Sequence, residues 1–190
     1  MSGDLSLEAR SGLPEHLRVL AEKYPRGDWT GHTNFNELTR FWLDRHLMFR
    51  DLLQRMQADT EGVLDKRLEA RPYAMQLSRL GGFFINQLHS HHHIEDAHYF
   101  PLLQGKDARL VRGFELLDAD HHALDGHLNA LADETNAVLR AVQAGGALDA
   151  AAERYRKTLV RFGRFLDRHL TDEEEIVVPV ILEHGGDDLM

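Results

Sequence analysis

The sequence predicts an all-α protein, an up-down-up-down four-helix bundle with a short N-terminal helical extension, and three observations predict it. Apolar residues recur at helical spacing over four long stretches, turns bearing glycine or proline separate those stretches, and no segment alternates apolar with polar residues as a half-buried strand does. At 190 residues the chain is long enough to bury one substantial core. The expected organisation is an extension with a short helix over residues 1–28, a bundle over 29–184 and a flexible tail over 185–190.

Residues 1–12 are polar and small and are expected to be loosely packed, with no evident chemistry. Leu13-Pro14-Glu15, followed by His16, Leu17, Leu20 and Ala21, predicts a short helix with proline in its first turn that ends before Pro25-Arg26-Gly27. The first long helix should begin near Thr33, with Phe35, Leu38, Phe41, Trp42, Phe49, Leu53 and Met56 as its apolar stripe and His46 inside that stripe. Asp59-Thr60-Glu61-Gly62 should break it, with residues 63–69 adding a turn before Arg71-Pro72. The second helix carries Met75, Leu77, Leu80, Phe84, Leu88, His91, Glu95 and Leu102 on one face, and Gly105-Lys106-Asp107 ends it. The third, from about Ala108 to Val142, has Phe114, Leu117, His121, Leu124, Leu128, Leu131 and Val138 in line. After the break at Ala144-Gly145-Gly146, the fourth runs from about Leu148 to Leu182 with Leu159, Phe162, Phe165, His169, Glu173, Ile176 and Val180 along one side.

Composition removes several function classes. Lys and Arg number 22 against 31 Asp and Glu, a formal charge of -9 that repels phosphate backbones, so no nucleic-acid partner is expected. Cysteine is absent, which excludes disulfides, thiolate metal sites and cysteine nucleophiles in this chain. The first ten residues contain no apolar signal region and no apolar run approaches 18 residues, so the expectation is a soluble cytoplasmic protein with no membrane partner. Histidines number 13, and five of them fall between His89 and His98, which makes metal the first chemical hypothesis.

The chemistry centres on His91-x-x-x-Glu95. Residues four apart lie on one helix face about 6 Å apart, so an imidazole and a carboxylate there can reach one ion. His169-x-x-x-Glu173 repeats the pattern, and Pro179 follows Glu173 at the same offset of six as Pro101 follows Glu95. With about 100° per residue, His46, His91, Glu95, His121, His169 and Glu173 all face inward. A lone His46 or His121 would more often be a hydrogen-bonded core residue than a ligand. Two carboxylates on stripes of Phe, Leu, Ile and Val, however, need positive charge, and Arg50 is the only cationic side chain near those faces. A metal pair satisfies the whole set. His92 and His93, rotated about 100° and 200° from His91, are expected at the surface or orienting a ligand. His98 and Asp125 are each either a further ligand or a partner holding a ligand in place, and His16, His32, His89, His122, His127 and His184 are expected to be non-ligands. An all-N/O donor set suits iron or manganese, and zinc can substitute.

These residues resemble a known family. His46, His91-x-x-x-Glu95 with Tyr99-Phe100-Pro101, His121, and His169-x-x-x-Glu173-Glu174, each on its own helix and in this order, are similar to the hemerythrin-like HHE cation-binding domain over roughly residues 30 to 183. The resemblance implies a bundle enclosing a non-haem di-iron centre, two irons per chain, bridged by Glu95 and Glu173 and by an oxo or hydroxo group. Oxygen-carrying hemerythrins place a second histidine four residues after the third-helix ligand, where this chain has Asp125, and iron–sulfur repair relatives carry a cysteine-bearing N-terminal domain that it lacks. The leading expectation is a protein that binds or senses O2 or NO. The alternatives are an enzyme that decomposes peroxide or reduces NO, with Arg50 or Tyr99 supplying charge or a proton, an iron storage or delivery protein, and a module in which metal is only a structural staple. The sequence carries no signal for oligomeric state.

Overall fold

Helices make up all the regular structure of a computed structural model that describes residues 5–186 and 189, with no strand among them. A 3-10 turn (Glu15–Leu17) and α1 (Val19–Lys23) are followed by a 3-10 segment (Arg26–Gly31), α2 (Glu37–Leu64) and α3 (Ala70–Ile94). A π-helical turn (Glu95–Tyr99) joins α3 to α4 (Phe100–Gln104), and α5 (Val111–Gln143) and α6 (Leu148–His184) complete the chain. Among the described residues no helix is long and apolar enough to cross a membrane.

Local chemistry sets these boundaries. The Asn36 side chain accepts from the N–H and the hydroxyl of Thr39, both at 2.9 Å, an N-terminal cap that starts α2 later than the apolar pattern suggested. The expected break at Asp59–Gly62 does not occur. Thr60 turns its hydroxyl back to the Met56 carbonyl at 2.7 Å, and α2 continues to Leu64, where Lys66 at φ 60° ends the run. Phe41 and Met75, expected on the inner stripes, are exposed. At the far end of the second helical pattern the buried residue is Leu103, 0% exposed, and not the expected Leu102, at 38%. The π turn inserts one extra residue into the helical path and moves everything after it on by one.

The chain divides into two compact units. The first draws on Met1–Leu47, His91–Ala123 and Asp167–Met190, and the second on Met48–Ser90 and Leu124–Leu166. In the first, Leu13, Leu17, Leu20, Trp42, Phe100, Leu103, Phe114, Leu117, Ile176 and Val180 share one apolar cluster. Gly113 keeps α5 close to α6 there, because a Cβ on it would meet Ile176 Cδ1 at 3.0 Å. The second is built on edge-to-face aromatics, Phe84 against Phe49 and Phe162 at centroid separations of 6.0 and 5.8 Å. The N-terminal stretch differs from expectation, since Leu7, Arg10 and Leu13 are buried, while residues 1–4 lie outside the described part. Of the expected tail, Gly186 and Leu189 are buried, and positions 187, 188 and 190 lie outside it.

Candidate metal centre

Every inward ligand candidate belongs to the first unit. α2 contributes His46, the end of α3 contributes His91 and His92, the π turn contributes Glu95, α5 contributes His121, and α6 contributes His169 and Glu173. They fall into two groups whose donor atoms lie within 4.8 Å of one another: His46, His91, Glu95 and Glu173 in one, and His92, His121 and His169 in the other.

Each carboxylate turns one oxygen toward each group. Glu95 Oε1 is 3.0 Å from His91 Nε2 and its Oε2 is 3.6 Å from His121 Nε2. Glu173 Oε1 is 3.4 Å from His46 Nε2 and its Oε2 is 3.4 Å from His169 Nε2. Within the groups, His46 Nε2 faces His91 Nε2 at 3.1 Å and His121 Nε2 faces His169 Nε2 at 3.1 Å.

Carboxylates fix which nitrogen of three rings carries the proton. His46 Nδ1 lies 3.0 Å from Glu174 Oε1, His121 Nδ1 lies 2.7 Å from Asp96 Oδ1, and His169 Nδ1 lies 3.2 Å from Asp120 Oδ2. Because a carboxylate only accepts, each Nδ1–H donates, and in the neutral ring the Nε2 lone pair is left aimed inward. Lone pairs therefore converge on lone pairs. No hydrogen bond satisfies Glu95 Oε1 and Oε2, Glu173 Oε2 or His92 Nε2, although all three residues are buried. Such orphaned acceptors cost free energy unless a cation lies among them. Donors about 2.1 Å from one ion and about 90° apart stand roughly 3 Å from each other, close to the spacings seen here. The donor set fits a metal.

The electrostatics reflect the same crowding. Burial, then the neighbouring charge of Glu173, pushes Glu95 well above the usual carboxylate range. Glu173 is also buried, but the charge of His46 and the hydrogen bond from His169 hold it well below that range. Burial lowers His91 to about 3, and burial with the charges of His121 and His169 lowers His92 well below the usual imidazole value. His121 is lowered chiefly by burial. For His169 burial opposes the charge, yet the hydrogen bonds and charges of Asp120 and Glu173 prevail and push it up to about 9. His46 is raised in the same way by Glu173 and Glu174.

A comparison with protein families matches residues 37–181 to the hemerythrin HHE cation-binding domain. The chain belongs to this family. No curated protein and no solved structure matches it. Membership in the hemerythrin HHE family implies cation binding, and both histidine groups lie within residues 37–181.

Of the residues singled out in the sequence, His46, His91, Glu95, His121, His169 and Glu173 come together in the two groups. Four others are members of neither group. Asp125 is exposed, 3.9 Å from the exposed His89, His98 is exposed beside Tyr99, Tyr99 packs on Trp42 at 5.0 Å between ring centroids, and Arg50 is half-buried in the second unit. His92 differs from expectation. It is buried, stacked on His121 at 4.0 Å between ring centroids and 11° between planes, and grouped with His121 and His169. The third imidazole of that group thus comes from α3 and not from position 125. Its signal was the spacing His91-His92-x-x-Glu95: residues at i, i+1 and i+4 span one wide helix face, and a site with two groups is wide enough to use both edges. Sequence reasoning missed Asp96 and Asp120, gave Glu174 only as part of the family motif and Trp42 only as an apolar residue of the first stripe, whereas the Trp42 Nε1–H donates to Glu173 Oε1 at 2.5 Å.

Proposed function

We propose that this HHE domain is an up-down-up-down bundle that holds two metal ions, iron by preference, and binds or senses a small ligand such as O2 or NO. The observation that carries the reading is the placement of one oxygen of each glutamate toward each histidine group, as bridging carboxylates require. His46 and His91 would hold one ion, His92, His121 and His169 the other, with Glu95 and Glu173 shared. One group offers two imidazoles and the other three, so a small ligand is assigned to the two-imidazole side. When bound, an iron pair supplies one-electron redox chemistry and an exchangeable coordination position.

The chain's own residues prepare that position. Glu174, Asp96 and Asp120 hold the rings with Nε2 inward, Trp42 directs one lone pair of Glu173, and the stacked Phe100 and His92 rings cover both faces of His121. Their apolar surroundings limit water at the donors. Manganese and zinc can substitute at the same donors. A cytoplasmic location and the absence of nucleic-acid partners belong to this reading.

Anaerobic titration with Fe(II) tests it, followed by optical spectra on adding O2, NO, azide and peroxide. Two irons per chain and a new absorption band with azide or NO are expected. A single iron would overturn the shared-carboxylate reading, and catalytic loss of peroxide or NO would move the protein to the enzyme class.

A further inference from the structure

Two arginines that precede the family-matched region reach the two histidine groups, one each. Arg10 is buried, its Nε–H donates to Asp172 Oδ2 at 2.8 Å, its Nη1 donates to Asp120 Oδ1 at 2.7 Å, and its Nη2 pairs with Asp120 Oδ2. That second oxygen is the one facing His169 Nδ1. Arg26, in the 3-10 segment, donates from Nη2 to Glu174 Oε2 at 2.5 Å, while Glu174 Oε1 faces His46 Nδ1. The family match begins at residue 37, so both arginines lie outside it.

The N-terminal segment is anchored to bring them there. Leu7, Leu13 and Leu17 are buried, the N–H groups of Ala9 and Arg10 both donate to the Ser6 carbonyl at 3.1 Å, and Arg168 Nη1 donates to the Ser11 carbonyl at 2.9 Å. Arg168 Nη2 also donates to Asp172 Oδ1 at 2.5 Å, so Asp172 is held from both sides. Trp29 is buried under the Arg26 guanidinium, 4.6 Å from its ring centroid.

A carboxylate hydrogen-bonded to an imidazole can rotate about its own axis and present either oxygen. A guanidinium gripping both oxygens fixes the carboxylate plane, and through it the imidazole orientation, which a lysine ammonium cannot do. We propose that residues 5–31 are a strap that sets the metal centre of this chain, Arg10 acting through Asp120 on His169 and Arg26 acting through Glu174 on His46. Both are positioning residues, and the inference rests on the two-ion reading above. The two arms are unequal. Arg10 is buried and grips both oxygens, whereas the Arg26 side chain is 53% exposed and grips one. Among the described residues His121 has no such arm, and its partner Asp96 lies partly open to solvent.

The experiment measures release of Fe(II) from anaerobically loaded full-length protein to a bipyridine chelator, beside the melting temperature of the metal-stripped protein. Arg10→Met should speed the loss of one iron by at least tenfold and leave the other at its wild-type rate, in line with the effect of partners that orient metal-binding imidazoles. Arg26→Met should speed the loss of the other iron by a few-fold, and because the Arg26 side chain is exposed this variant tests the strap even where Arg10→Met does not fold. Arg10→Lys, which keeps the charge and loses the fork, should retain iron no better than Arg10→Met. Asp120→Asn should reproduce the Arg10→Met release rate, and the double variant should be no faster than Asp120→Asn alone, because the two act in series. Wild-type release rates in Arg10→Met and Arg26→Met, whether or not melting temperatures fall, would overturn the strap while leaving the metal reading intact. Failure of the wild type to take up iron would overturn both.

Discussion

The same four long helices contribute to both compact units, and the two interiors are chemically unlike. In the second unit the buried polar side chains among the described residues, besides the tyrosines Tyr73 and Tyr155, are Thr60 and Thr135, each returning its hydroxyl to the carbonyl four residues earlier. Phe49, Phe84, Phe162, Met56, Leu88 and Leu159 fill the remainder. In the first unit Arg10, His46, His92, Glu95, Asp107, Asp120, His121, His169, Asp172, Glu173 and Glu174 are all buried. Burial of apolar surface is enough to form the second interior. The first brings together lone pairs and carboxylates that stabilise it only once something positive is bound. A helix can thus be scaffold over half its length and ligand over the other half.

Removing metal should separate the units most strongly. Each ion held at 1,000 times its dissociation constant adds about 4 kcal/mol to the folded state, so stripping both should lower the melting temperature markedly. Amide exchange should quicken in residues 37–47, 91–123 and 167–184 before it quickens in 49–88 and 124–166. Equal quickening in both sets would break the contrast. The converse change is Phe84→Ala, which opens a cavity in the second unit. A loss of about 3–5 kcal/mol by chemical denaturation is expected, with iron stoichiometry unchanged.

His92→Ala should weaken one iron by about 10–100-fold, whereas His93→Ala, at an exposed position, should leave both irons in place. Metal analysis after dialysis distinguishes them, and equal retention by both variants would return His92 to a packing role. The smallest effect is that of pH. His169 is raised to about 9, above its unfolded value, so its charge stabilises the metal-free fold below about pH 6.5 and that contribution is lost as pH rises through about 9. Fe(II) must displace the same proton, so iron affinity should rise over this window, by up to about tenfold per pH unit for each proton released. His91, lowered to about 3, acts oppositely on the metal-free fold and disfavours it as pH falls below about 6.5. Calorimetric titrations at pH 6.5, 7.5 and 8.5 check the sign, and iron affinity that falls with rising pH would contradict it.

The four long helices and the inward placement of the six ligand candidates were legible because 3.6-residue periodicity survives in the sequence wherever a helix is regular. His46, His121 and His169 could be aligned this way. Several failures occur where the backbone or the contacts depart from that regularity, whereas Phe41 and Met75 are exposed within regular helices. Leu102 was expected inside because the π turn leaves no mark in a hydrophobic pattern. The equal proline offsets looked like two equivalent half-sites, yet Pro101 sits in the first turn of α4 after the π turn and Pro179 lies within the continuous α6. Asp120, Glu174 and Arg10 could not be found from spacing, since they meet their partners across 49, 128 and 110 residues of sequence. His92 was visible in sequence but was set aside because it lies about 100° round the helix from His91.

The five-residue turn at Glu95–Tyr99 makes this stretch tolerant of substitution and of losing one residue, and intolerant of gaining one. In an uninterrupted α-helix Phe100 would point about 140° away from Glu95, five residues on at about 100° each. Here both are buried, Glu95 among the imidazoles and Phe100 stacked 5.4 Å from His121 between ring centroids. The turn works as a phase adjuster, taking up one residue so that the donor register before it and the packing register after it can both face inward. Ala97 is exposed, so exchanging its side chain should matter little. Deleting it would restore a plain helix, keep every ligand candidate in the chain and leave Phe100 four residues after Glu95, about 40° round the helix, so Phe100 and Leu103 should stay inward, whereas one further residue inserted there would swing both outward by about 100°.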